Sequence, residues 1–182
     1  YTLEALESEP PERVHMWTEL SRYRGPGSDA YYSGFVPAAL ATDLQARLAH
    51  TADFLEQRLG ARAEELQDVY LMGNRELFEQ VERYMGFEPG WEAGFYSKPC
   101  LECYQHRPGI YIQADAHDTE SALHRTLAHE YAHSLAEDLS GQKGEVLPRW
   151  IDEGLAVWSE YEVGIAGDRP VSAYRSMFRK AD

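Results

Sequence analysis

Apolar residues along this chain follow two periods, and the switches between them mark an alternation of helices and short strands. Leu40, Leu44, Leu48, Ala52 and Leu55 share one helical stripe, with Pro37 suited to the first position and Gly60 to the stop, so a long helix is predicted between them. Before it, residues 31–36 read as a strand. Residues 14–23 fit a helix or a strand, and Gly25-Pro26-Gly27-Ser28 interrupts the chain. Val69–Met72 is apolar and partly β-branched, and Asn74 then caps a helix that carries Leu77, Phe78, Val81 and Met85 as far as Gly86. The aromatic stretch 91–97 suits a strand or bulge, and Gly109–Gln113 is the clearest strand in the chain. From 119 to 139, Leu123, Leu127, Tyr131, Leu135 and Leu139 recur every four positions, which predicts a helix with Asp118 as N-cap and Gly141 as stop. Pro148 opens one more helix. No internal repeat is present, and the elements fit one α+β domain over residues 31–182 preceded by a segment, 1–30, of ill-defined pattern.

Chemistry enters on the helix predicted at 119–139. It carries His129-Glu130-Tyr131-Ala132-His133, an H-E-x-x-H motif whose histidines lie at i and i+4 and therefore project from one face, where they can share a metal ion. Glu130 is rotated about 100° from His129 around the helix, which frees it to act as a general base on a water at that metal. A chance H-E-x-x-H in a chain of this composition has a probability of about 0.03, so the motif alone is suggestive. The second element decides. The helix opened by Pro148 carries Glu153, nineteen residues separating it from His133, and a carboxylate there supplies a third ligand. Two imidazoles and a carboxylate leave a fourth position for water, the pattern of a catalytic Zn2+ site and not of a closed structural one. His124 is five residues before His129, more than a quarter-turn away, and reads as a polar-face residue; His117 lies in the loop before that helix and reads as a surface histidine ahead of a cleft-lining one. Trp150, Trp158 and Tyr161 read as packing residues of the third-ligand helix.

Composition narrows the partners. The 182 residues include 31 acidic against 17 basic side chains, a formal charge of −14, which repels nucleic acid and anionic lipid. No apolar run approaches the roughly 20 residues a membrane span requires, and no segment has the form of a signal peptide. The chain opens at Tyr1 and leaves room to be a portion of a longer protein, so its compartment stays open. The cysteines, Cys100 and Cys103, form a C-x-x-C whose leading reading is a local disulfide in an extracytoplasmic loop, ahead of a reduced pair, with a second metal site using His106 as a minor alternative.

On His129-Glu130-x-x-His133 and Trp150-Ile151-x-Glu153-Gly154-x-Ala156 the chain resembles the gluzincins, the peptidase MA-like superfamily of thermolysin-like peptidases and related aminopeptidases. The resemblance implies a zincin-like fold, a small mixed sheet packed on helices, and zinc-dependent hydrolysis of a peptide or protein substrate. It implies that the strand before the motif helix lines the cleft, so Gly109–Gln113 is a candidate for docking substrate backbone, with an interior place in the sheet as its rival. It also implies a tyrosine or histidine that stabilises the oxyanion; Tyr174 is the candidate ahead of Tyr161, with a packing role as the equal alternative. The chain departs from thermolysin-like relatives at Val157, where an aspartate would orient a ligand histidine, leaving Asp152, Glu160 or backbone carbonyls for that task. Two further readings stand beside hydrolysis: a zincin-fold binding domain with weak or absent catalysis, and a wholly structural zinc domain, which lacks a fourth ligand at usable spacing.

Overall fold

A computed structural model describes residues 20–34, 36–63, 65–98, 107–141 and 147–165. In chain order the elements are β1 (Ser21–Arg24), β2 (Asp29–Tyr32), α1 (Ala38–Leu59), β3 (Val69–Met72), α2 (Arg75–Tyr84), β4 (Gly94–Ser97), β5 (Gly109–Gln113), a 3-10 turn (Ala114–Ala116), α3 (Glu120–Gly141) and α4 (Arg149–Ile165). The five strands form one mixed sheet in the order β1-β2-β3-β5-β4, with β2, β3 and β5 parallel and each outer strand antiparallel to its neighbour. This is a mixed α+β fold in which a five-stranded sheet packs on helices, the motif helix followed by the third-ligand helix.

Alternation along the central strands sends side chains to two cores. Ala30, Val69, Leu71, Ile110 and Ile112 meet Leu44, Leu48 and Leu55 of α1 and Leu123, Leu127, Tyr131 and Leu135 of α3 on one face. Tyr70, Met72 and Tyr111 meet Phe78, Val81 and Met85 of and after α2 on the other. On that second face Tyr31, Tyr70, Tyr111 and Phe95 stack across four adjacent strands, with ring centroids 4.9, 4.4 and 4.7 Å apart and near-parallel planes. The stack ties the edge strand β4 to the centre of the sheet.

The helix termini follow the sequence closely. Gly60 takes the left-handed conformation (φ 69°) that ends α1 and donates its N–H to Glu56 O. Asn74 caps α2 by accepting from the Leu77 N–H at 2.9 Å. At α3 the cap is Thr119 and not Asp118: its hydroxyl accepts the Ala122 N–H at 3.1 Å. The expected strand at 31–36 is shorter and begins earlier, as Asp29–Tyr32, and the ambiguous 14–23 segment contributes the start of β1. The strand at Gly109–Gln113 is interior, flanked by β3 and β5's other neighbour β4, and all five of its residues are buried. It cannot dock a substrate backbone; the free edge beside the motif helix belongs to β4. The C-x-x-C, His106 and Tyr174 lie outside the described residues.

Candidate metal centre

The centre is assembled by two adjacent helices. The core-facing stripe of α3 fixes its rotation, so Leu127, Tyr131 and Leu135 enter the core while His129 and His133 stand on the opposite side, facing α4. Their rings lie edge to face, with centroids 4.9 Å apart. From α4, Glu153 brings its Oε2 to 3.8 Å from His129 Nε2 and 4.0 Å from His133 Nε2. One potential ligand atom from each of the three residues lies within 4.8 Å of the others. Donors on a tetrahedral ion with bonds of about 2.1 Å are separated by about 3.4 Å, so small side-chain adjustments bring these three to bonding distance.

Two carboxylates of α4 hold the histidines for that purpose. His129 Nδ1 lies 2.5 Å from Glu160 Oε1, and His133 Nδ1 lies 2.9 Å from Asp152 Oδ1. A carboxylate only accepts, so each Nδ1 carries the proton and each Nε2 presents its lone pair toward Glu153, the tautomer a metal requires. Val157 leaves the position one turn after Glu153 without a polar group, and Glu160, two turns along the same face, reaches the first histidine instead. The donor set, its tautomers and its spacing therefore fit a zinc ion.

Electrostatics follow from this crowding of acids and imidazoles. Burial disfavours the charged form of His129, but the Glu160 hydrogen bond and the charges of Glu130, Glu160 and Glu153 outweigh it and raise the imidazole above its ordinary value. Burial pushes the carboxyl of Glu130 up to about 7, against the opposing pull of His129, His133 and the Tyr96 backbone N–H. Glu130 is 7% exposed and approaches β4 at Gly94, where an added Cβ would sit 3.4 Å from Glu130 Cγ and 2.7 Å from Thr126 Cγ2. That glycine lets the edge strand lie close against the motif helix.

An open cleft of about 750 Å³ runs over the centre, between β4 on one side and the start of α4 on the other. His129, Glu130, His133 and Glu153 all line it, as do Phe95, Tyr96 and Lys98 from β4 and its exit and Arg149 and Asp152 from α4. Other candidates fall elsewhere. His124 is buried and engaged with Asp43 of α1 (Nε2 to Oδ2, 2.9 Å), a structural contact and not a solvated polar face. His117 bridges Gln113 O and Thr126 Oγ1 at 2.9 and 2.8 Å. Trp158 packs on the core as expected, but Trp150 is 76% exposed, in a first turn of α4 where Arg149 and Ile151 are exposed as well. Sequence reasoning did not single out Trp91 and Glu92, which also line the cleft; the available signal was an aromatic-acid pair directly after Pro89-Gly90.

Among the described residues no helix is long and apolar enough to cross a membrane. No model of a known protein family matches the chain, and no curated protein matches it. The assignment rests on geometry: His129-Glu130-x-x-His133 on one helix and Glu153 on the next give this chain the thermolysin-like HExxH…E zincin arrangement, in the architecture of a zinc metallopeptidase-type active site.

Proposed function

We propose that the chain hydrolyses peptide bonds with Zn2+ held by His129, His133 and Glu153 and with Glu130 as general base. The observation that carries this reading is the convergence on one cleft of a buried Glu130 carboxyl with His129, His133 and Glu153, three residues whose potential ligand atoms lie within 4.8 Å of one another. The ion, when bound, supplies Lewis acidity that polarises a carbonyl and acidifies water. Glu130 accepts a proton from the attacking water, the water oxygen bonds to the scissile carbonyl carbon, and Glu130 delivers the proton to the departing amine nitrogen as the C–N bond breaks. His129 and His133 stay fixed by Glu160 and Asp152 throughout.

Substrate access is supported by the sheet order. β4 is an edge strand, and its Gly94, Phe95 and Tyr96 line the cleft, so an extended peptide can add to that edge and pass over the centre. The test separates base from ligand. Glu130→Gln is expected to bind zinc as the parent does and to lose at least about 10²-fold in turnover, because an amide cannot accept the proton. Turnover near the parent value would remove Glu130 from the mechanism. A zinc-loaded parent that cleaves no peptide would instead favour a zincin-fold binding domain.

A further inference from the structure

The cleft carries, at the approach to β4, an exposed aromatic residue whose flanking backbone is tied down by side-chain hydrogen bonds. Trp91 is 91% exposed, so it is not placed by packing, and it lies on the wall of the cleft next to Glu92. The backbone on both sides of it is fixed by Arg75, the first residue of α2: Nη1 donates to the Glu92 carbonyl at 3.1 Å and Nη2 to the Gly90 carbonyl. Arg75 is itself anchored to Gln113 Oε1 at 3.1 Å and Glu79 Oε1 at 2.8 Å. The Gly90 N–H in turn meets the Glu82 carboxylate. A ligand that settles on the indole therefore meets a backbone that is already ordered.

Glu92 supplies the second half. Its carboxylate folds back over Gly90, where an added Cβ would collide with it, and the residue lines the cleft together with Trp91. The other carboxylates of the cleft are engaged: Glu137 with Lys98 at 3.5 Å, Asp152 with His133, Glu153 with the metal-ligand set, and Glu130 with Tyr96. Glu92 has no side-chain hydrogen bond or ion pair among the described residues. An exposed aromatic residue and a carboxylate without a hydrogen-bonded or ion-paired partner on one cleft wall make an environment that holds a cation, and the chain's charge of −14 favours the approach of one.

We propose that Trp91 and Glu92 form a subsite for a lysine or arginine side chain of the substrate, so that the enzyme prefers peptides basic at one fixed position from the scissile bond. This rests on the peptidase reading above and names its substrate class. The test uses zinc-loaded protein and paired peptides that differ only by lysine or norleucine, moved through each position in turn. Lysine is expected to be favoured in kcat/KM by roughly fivefold or more at one position, the size of a cation on an aromatic face assisted by a carboxylate. That ratio falls toward one in Trp91→Leu and in Glu92→Gln, with zinc content measured on both to show that the centre is intact. No lysine preference at any position, a preference for norleucine, or a lysine preference that survives both substitutions overturns the subsite and leaves the peptidase reading standing. Failure of zinc-loaded parent protein to cleave any peptide overturns that reading, and the subsite with it.

Discussion

Glu160→Ala isolates the task of holding the first histidine. In the parent, the 2.5 Å contact between Glu160 Oε1 and His129 Nδ1 joins side chains that are only 26% and 20% exposed, so solvent screens it less than a surface ion pair. The contact does two things: it fixes the ring plane, and it places the proton on Nδ1 so that Nε2 faces Glu153. Alanine removes both. Loss of such a partner weakens metal binding by about 10- to 100-fold, or about 1.4 to 2.7 kcal/mol. Glu160→Gln retains an oxygen that accepts the same hydrogen bond and loses only the charge, so its affinity is expected within about tenfold of the parent. Competition for zinc against a chromophoric chelator reads these values directly. The increase in Tm at a fixed excess of zinc gives a second measure, because ligand binding to the native state stabilises it in proportion to the logarithm of saturation. If Glu160→Ala binds zinc as tightly as the parent, the orientation of His129 comes from packing alone and the argument fails.

Three other outcomes follow from the same geometry. Glu153→Ala leaves two imidazoles and is expected to lose zinc far more severely than Asp152→Ala, which removes only the partner of His133 and should cost about 10- to 100-fold; zinc titrations that reverse this order would reassign the third ligand. Zinc affinity should be full above the raised pKa of His129 and decline as pH falls through it, because a proton on Nε2 excludes the metal; in Glu160→Gln the decline moves to lower pH, and titrations between about pH 5 and 8 that show no such displacement would contradict the stated cause. Gly94→Ala forces a methyl group to 2.7 Å from Thr126 Cγ2 and 3.1 Å from Tyr111 O, so β4 is pushed from α3 and chemical denaturation should show a loss of about 1 to 3 kcal/mol, whereas parent-like stability would mean the strand is free to shift.

The sequence by itself determined most of the elements and the candidate ligand set. Strong periodicity made α1, α2, α3 and the strands Val69–Met72 and Gly109–Gln113 legible, because one buried face per element imposes a repeat of 3.6 or 2 whatever the tertiary context. His129 and His133 could be paired because a helix brings i and i+4 together without help from the rest of the chain, and Glu153 was found by the residues around it. Tertiary structure alone decided what depends on neighbours distant in sequence. Interior and edge strands differ by what lies beside them and not by composition, so the apolar Gly109–Gln113 was open to either place until the order β3-β5-β4 gave the free edge to the weaker-patterned Gly94–Ser97. The rotation of α4 against α3 chose Glu160 and Asp152 as partners for the histidines, a choice made by distances between two helices that no spacing along either one encodes. Packing of α3 on α1 turned His124 into a buried contact, and among the described residues no neighbouring element covers Trp150, since burial of a polar or aromatic residue is settled by which surface closes over it.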